Sequence, residues 1–362
     1  MKIMFCVLCL SYGGAEKNLC FIANEMVERG HEVVICNLNT LPTVQKIDTR
    51  IKVIDVPVFS KRYVKRIQQI DYIRKVCKDE RPDVMVSFLF MPNFLATVVG
   101  KLTGVPVIIS ERADPNRHTV FAERLIYFFY RFANGAVFQT NGAKKCFPKM
   151  LQRKSTVIPN PVMLKDPSLF SVYEDAEKSI VFCGRFEVVQ KRQDIALEAF
   201  KVVHDKHPEY VLDFYGDGPD ENAMKAYAQR LGLSGCVNFH GVSSNVLQDM
   251  ARSELFMMSS DYEGIPNVLL EALSIGMPCV STDCSPGGAR MLIRDGDSGL
   301  IVPCGDAEAL ANAVCKMIED RDFAISCGRN AVEVRERFSK QKILDAWESF
   351  MEKYAKGGKN KK

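Results

Sequence analysis

The stretch KIMFCVLCLSYGGAEKNLCFIANEMVERGHEVVICNL, residues 2–38, decides the fold class. KIMFCVL is a short apolar run of strand length, the residues that follow space their apolar positions as a helix closed by Gly30, and EVVICNL returns to a strand. Two strands joined through a helix run parallel, so this is a βαβ unit. Apolar runs at 84–89 (VMVSFL), 106–110 (PVIIS) and 135–140 (GAVFQT) continue the alternation. A parallel sheet covered by helices on both faces is expected.

At 362 residues the chain exceeds one ordinary core. VIPNPVML, residues 157–164, brackets Asn160 with two prolines before a polar stretch and reads as the linker. Beyond it the alternation restarts with SIVFCGRF, YVLDFYGDGP, VNFHG, ELFMMSS, PCVSTD and GLIVP. The expectation is an α/β protein with two Rossmann-like parallel-sheet domains, 1–160 and 161–340. Residues 341–362 add an amphipathic helix, able to pack back on the first domain, and a lysine-rich tail.

Hydrophobic content of 47% and charged content of 25% describe a soluble globular protein, and no apolar run approaches the roughly 20 residues of a membrane span. MKIMFCVLCLSYGG reads as a first buried strand, not a signal peptide. The 13 cysteines are odd in number and scattered through apolar runs, which suits reduced thiols in a cytoplasmic protein; Cys6 and Cys9, the one C-x-x-C, lie in the first strand. The net charge of +4 hides an asymmetry: residues 1–162 carry 24 Lys and Arg against 13 Asp and Glu, residues 163–362 carry 24 against 31. The first half therefore faces something anionic.

The chemistry concentrates in SSDYEGIPNVLLEALSIG, residues 259–276. Here ELFMMSS ends a strand, DYEG is a loop, and IPNVLLEALSIG is a helix with Pro266 near its start and Gly276 at its end. Glu263 lies at a strand's carboxyl end, where open α/β sheets bind ligands. The amides of Asn267, Val268 and Leu269 offer a diphosphate the positive end of a helix dipole. Glu271, a turn further on, could reach hydroxyls of the same ligand. Alone, the two acids read equally as helix decoration. FCGRFEVVQKRQDI tips the balance, because Arg185 and Lys191 fall after a strand and Gly184, where phosphates would sit, and two cations can neutralise a departing diphosphate without a metal.

In this order the residues resemble a known family. Gly13-Gly14 in an early loop, Arg185 and Lys191, then Glu263 and Glu271 as E-x7-E, together with VIPNPV, GDGP at 216–219 and RDGDSGLIVP, look like the retaining glycosyltransferases of family 4, of GT-B fold. The resemblance spans nearly the whole chain. It implies two domains facing across a cleft, with Arg185 and Lys191 on the donor diphosphate, Glu271 on the nucleotide ribose and Glu263 on the transferred sugar. Gly14, Asn267, Val268, Leu269 and Gly241 complete the expected donor site. The reaction implied is transfer from a nucleotide sugar with retention of configuration. Similarity to bacterial members, especially N-acetylhexosaminyltransferases, implies a UDP-sugar donor, with hexose also open, and a lipid-linked saccharide acceptor in surface polysaccharide or glycan synthesis. Asp295-Gly296-Asp297 is a D-x-D in form, but Asp-Gly favours a turn, and no metal or other cofactor is expected.

In the first domain LSYGGAEKNL lacks G-x-G-x-x-G, which disfavours a nicotinamide dehydrogenase. Gly13 is expected near the acceptor. SERADPNRH places Arg112 where the family often has a sugar-site His, with His118 shortly after, and both stand as acceptor-side candidates. Residues 60–82 hold eight Lys and Arg against three Asp and Glu, with Tyr63, Ile67, Ile70, Ile73 and Val76 or Cys77 at helical spacing; RLIYFFYRF, 124–132, sets aromatics between arginines. Both fit docking on an anionic membrane surface, as for a cytoplasmic protein peripheral at the inner face. No module for nucleic acid accompanies them. The second reading is a non-catalytic sugar-nucleotide-binding or membrane scaffold protein.

Overall fold

The computed structural model describes residues 1–11, 13–39, 43–59, 64–117, 120–164, 166–171, 173 and 176–355. The chain divides into two compact units, Met1–Asn160 with Gln341–Lys362, and Pro161–Lys340.

The first unit is built on seven strands: β1 (Lys2–Val7), β2 (Glu32–Asn37), β3 (Lys52–Asp55), β4 (Val84–Phe88), β5 (Val107–Glu111), β6 (Gly135–Phe138) and β7 (Ser155–Val157). They pair in the order β3-β2-β1-β4-β5-β6-β7, all parallel, with Lys2 opposite Glu32 and Val7 opposite Asn37. The central strands β4 and β5 are buried along their whole length, which explains their uninterrupted apolar runs. Two edge strands, KVID and STV, are new relative to the sequence reading. They are short and none of their residues is fully buried, so they lack an apolar run.

The helix Lys340–Tyr354 joins this first unit. Its Trp347 is fully buried and stacks on Phe88 at 5.6 Å between ring centroids, a contact worth about 1 kcal/mol beyond burial. At its surface Arg29 Nη1 meets Asp345 at 2.7 Å and His31 Nε2 lies 2.7 Å from Glu348.

The second unit has β8 (Glu177–Cys183), β9 (Val211–Tyr215), β10 (Val237–Gly241), β11 (Ser253–Met258), β12 (Cys279–Thr282) and β13 (Leu300–Val302), all six at the apolar runs expected. Their order is β10-β9-β8-β11-β12-β13, again parallel. The chain runs outward from β8 to β10, then crosses back to β11 and runs outward the other way. The order therefore reverses between β8 and β11, and in the first unit between β1 and β4. At such a switch point the loops part and leave a crevice beyond the strand ends.

One expectation is corrected in part. In the helix Lys65–Glu80 the residues Ile73, Val76 and Cys77 are buried against Met4, Val34 and Met85 of the sheet, so this later part of its apolar stripe is core, whereas Ile67 in the first turn is exposed. Tyr63 and the start of the 60–82 cluster lie outside the described residues. The helix Phe121–Phe129 and the turn after it behave differently: Leu125, Phe128 and Phe132 are exposed. Among the described residues no helix is long and apolar enough to cross a membrane.

Candidate active site

The loops at the β8/β11 switch point carry Arg185, Lys191, Glu263 and the start of the helix with Asn267, Val268 and Leu269, while Gly14, the other donor-side glycine expected, lies in the first unit. After Cys183 the chain turns through Gly184 and Arg185, forms the short helix Val188–Lys191, passes Arg192 in a left-handed conformation (φ 51°) and enters the helix Gln193–Lys206. The turn is braced from behind by the GDGP loop. The Phe186 amide donates to Asp217 O at 2.7 Å, and a Cβ on Gly216 would lie 2.1 Å from Gly184 O, so only glycine permits this approach at φ +135°. Gly241 closes β10 and accepts from the Gly216 amide at 2.8 Å. It sits on the edge strand, two strands away from β8, and is linked to the turn after β8 through the Gly216 loop.

Arg185 is exposed, and its guanidinium has no ion-pair or hydrogen-bond partner among the described residues, while Gln193 Nε2 fixes its carbonyl at 2.8 Å. Backbone and side chain thus do different things: the first is locked, the second is free to meet a ligand. Lys191 is already engaged. Its Nζ forms an ion pair with Glu263 Oε1, both side chains being more than four-fifths buried. Ser260 Oγ donates to the same carboxylate oxygen at 3.0 Å and Gln190 Nε2 to the other at 3.4 Å.

Further bonds weld the two loops together. The Asp261 amide donates to Gln190 O at 2.9 Å, Ser259 Oγ donates to Arg192 O at 2.7 Å, and Arg192 Nη1 meets Asp261 at 3.0 Å. Gln190, Ser259, Ser260 and Arg192 were not singled out from sequence. Their adjacency to Lys191 and Glu263 was the available clue. Burial, then the charge of Glu263, pushes the neighbouring Cys284 thiol up to about 12.

The helix Asn267–Ser274 starts beside Glu263. Pro266 is its N-cap and supplies no side-chain cap, and no acid lies in the first turn. The amides of Asn267, Val268 and Leu269 are the ones that the geometry of any helix leaves without an intrahelical acceptor. Glu271, half-buried, lies close enough to the end of β8 that its charge, after burial, raises the Cys183 thiol.

The start of the first unit's helix Gly14–Glu28 is built on another principle. Gly13 is the N-cap, and a Cβ there would lie 2.1 Å from Glu16 Oε2, so the missing side chain makes room for the Glu16 carboxylate. That acid is buried, and burial pushes its carboxyl up. The positive end of this helix is met from within the chain. Gly14 opens this helix beside the Glu16 carboxyl, in the first unit and apart from the loops that carry Arg185, Lys191 and Glu263 in sequence.

Arg112 is likewise not a surface contact. It is buried, lies 4.7 Å over the Phe88 ring, and donates through Nη2 to Asn18 and, at 2.8 Å, to Asn160. Gln139 Nε2 also donates to Asn160 Oδ1, at 2.9 Å, so this arginine organises the last residue of the first unit. His118 lies outside the described residues. Asp295 belongs to a turn, its carboxylate accepting from the Ile301 amide at 2.9 Å. Among the described residues the one grouping with metal-ligand geometry, unanticipated from sequence, is His207, Cys315 and Glu319, which includes none of the donor-site candidates.

Comparison with known proteins identifies the two units. Residues 12–166 match the model of Glycosyltransferase Family 4 and residues 177–320 that of Glycosyl transferases group 1, which together take in most of the chain. The chain belongs to the family 4 glycosyltransferases. Among its relatives this glycosyltransferase is 26% identical, over 96% of its own length and 97% of the other, to the GalNAc-alpha-(1->4)-GalNAc-alpha-(1->3)-diNAcBac-PP-undecaprenol alpha-1,4-N-acetyl-D-galactosaminyltransferase of Campylobacter jejuni. It is 28% identical to the lipopolysaccharide core biosynthesis glycosyltransferase LpsE of Rhizobium meliloti, covering 92% of this chain and 94% of that one. Its fold is that of the lipopolysaccharide outer core galactosyltransferase WaaB (TM-score 0.78, 20% identity, 97% and 99% covered) and of Anabaena HepE bound to UDP (TM-score 0.78, 18% identity, 96% and 99% covered). The two parallel-sheet units are those of the GT-B architecture.

Proposed function

We propose that this glycosyltransferase moves a sugar, N-acetylhexosamine or hexose, from a UDP-sugar to a lipid-linked saccharide with retention of configuration, in the synthesis of a surface polysaccharide or glycan. The observation that carries the reading is the buried Lys191–Glu263 pair beside the start of the helix Asn267–Ser274, at the switch point of the second sheet. It sets a cation, helix amides and a carboxylate around one crevice, which are the groups a sugar diphosphate needs. The acceptor class is supported by the undecaprenol-diphosphate saccharide named for the Campylobacter relative, and the donor class by the UDP bound to HepE.

As the glycosidic bond lengthens, negative charge grows on the leaving diphosphate and positive charge on the sugar. Arg185, Lys191 and the amides of Asn267, Val268 and Leu269 stabilise the first, and each such preorganised donor is worth roughly 3 kcal/mol of barrier. Glu263, next to the cation, faces the sugar. Its ion pair makes a buried carboxylate tolerable before the donor arrives, and Lys191 can then divide its hydrogen bonds between carboxylate and phosphate. Glu271 accepts from ribose hydroxyls. With cations and amides serving the diphosphate, the reaction proceeds without a divalent metal. At the membrane the exposed Leu125, Phe128 and Phe132 contribute the apolar contact with an anionic inner leaflet, and the basic surplus of the first 162 residues contributes the charge.

The test is a screen of nucleotide sugars for UDP release, in chelator, with and without a lipid-linked saccharide. Acceptor-dependent UDP release from a UDP-sugar is expected. Release from no UDP-sugar, or only after magnesium or manganese is restored, contradicts the proposal.

A further inference from the structure

The first unit holds a cavity of about 380 Å³ lined by Arg124, Tyr127, Phe128, Arg131 and Phe147. Arg124, Phe128 and Arg131 are spaced i, i+4 and i+7, which puts them on one side of the helix and the turn that continues it. Neither guanidinium has a carboxylate partner among the described residues, and Arg131 Nε is buried without a hydrogen bond. Arg131 lies 3.9 Å over the Phe128 ring, which holds it toward the cavity instead of leaving it to swing in solvent. Three acids, Glu111, Asp114 and Glu123, lie close enough to the wall for their charges, after burial, to raise the Tyr127 phenol. Asp114 is buried and accepts from the Asn116 amide at 3.0 Å, and the buried Glu111 accepts from Tyr130 Oη at 3.1 Å.

The same segment carries a second chemistry alongside. Leu125, Phe128 and Phe132 are spaced i, i+3 and i+7 and are all exposed, and Val120 precedes them, also exposed. Arg131, whose Nε is buried without an acceptor, and the exposed Arg124 stand beside an exposed apolar stripe, a combination that suits an occupant anionic at one end and apolar at the other. Phe128 belongs to both stripes, so head and tail would meet there.

We propose that this cavity seats the diphosphate of the lipid-linked acceptor, with Arg124 and Arg131 on the phosphates and the isoprenoid chain running along Leu125, Phe128 and Phe132. This rests on the acceptor class proposed above and adds where the lipid end is held. Two arginines match the charge of a diphosphate better than that of a single phosphodiester.

The experiment measures binding of farnesyl diphosphate, a short soluble probe, to the full chain by calorimetry. Saturable binding is expected, at least tenfold weaker for inorganic pyrophosphate and for farnesol. R124Q/R131Q should weaken it at least tenfold while leaving UDP binding, which belongs to the second unit, unchanged. Unchanged probe binding in R124Q/R131Q overturns the proposal, as does pyrophosphate binding as tightly as the prenyl diphosphate. So does a ligand-free dimer that Phe128→Ser dissolves, because a second copy would then cover the stripe. If the probe binds as described but no UDP-sugar supports transfer, the pocket stands and the donor reading fails.

Discussion

Lys191 and Glu263, 72 residues apart in sequence, form a buried ion pair across the two loops that frame the β8/β11 crevice. From sequence alone the cation belonged to the phosphates and the acid to the sugar. Their pairing means that each also sets the other's position, and that removing one leaves the other's charge uncompensated.

That coupling is measurable. Breaking a buried pair by removing one partner costs about 3–5 kcal/mol, whereas removing both often costs little. Lys191→Met and Glu263→Gln should each lower the urea midpoint clearly, and the double variant should recover most of the loss without recovering activity. Additive stability losses in the double variant would show that the two groups are not coupled.

Arg185 should behave oppositely, because its exposed side chain supports nothing in the fold. Arg185→Ala is expected to change stability by less than about 0.5 kcal/mol. Its loss from UDP binding should cost about 1.5–3 kcal/mol, roughly ten- to a hundredfold in Kd, the range for a hydrogen bond to a charged group. Calorimetry with UDP reads both the affinity and, through thermal shift, the fold.

Gly216→Ala tests the brace behind the crevice. The added Cβ would meet Gly184 O at 2.1 Å at a backbone angle that side chains rarely adopt. A stability loss of at least about 2 kcal/mol and a weaker UDP affinity are expected together. Wild-type melting and wild-type UDP affinity in this variant would mean that the GDGP loop does not shape the site.

A pH signature comes from Glu111, which is buried and whose carboxyl is pushed up by that burial to about 7. Between pH 4.5 and 7 the folded chain keeps a proton there that the unfolded chain has lost, so this group makes stability fall as pH rises. The full effect is about 3 kcal/mol. Glu111→Gln should remove that slope and gain most over wild type above pH 7, partly offset because Arg112, pushed down to about 9 by burial, loses a neighbouring charge that supports it. Equal pH slopes for the two proteins in denaturant titrations would contradict the assignment.

The sheets were legible because buried parallel strands read as unbroken apolar runs, as in VMVSFL and SIVFCGRF. The edges KVID and STV were not, since a half-exposed strand of three or four residues has no such run. Glu263 and Lys191 could be singled out as candidates, as carboxylate and cation at strand ends, but their pairing could not, because it depends on β8 and β11 being neighbours. The later part of the stripe at 60–82 misled for a related reason: helical spacing shows that a face is apolar, not whether sheet or lipid covers it, and here the sheet covers Ile73, Val76 and Cys77 but not Ile67. Arg112 offered no clue to its burial, since Asn18, Gln139 and Asn160, which accept from it or share its acceptor, come from three distant segments.

The central claim is that Lys191 and Glu263 act directly in sugar transfer, and it is tested most directly by the transfer rate of Lys191→Ala and Glu263→Ala at saturating donor with a competent acceptor. The account predicts that kcat falls by about 100-fold or more in each. Transfer at the wild-type rate in both variants would contradict it.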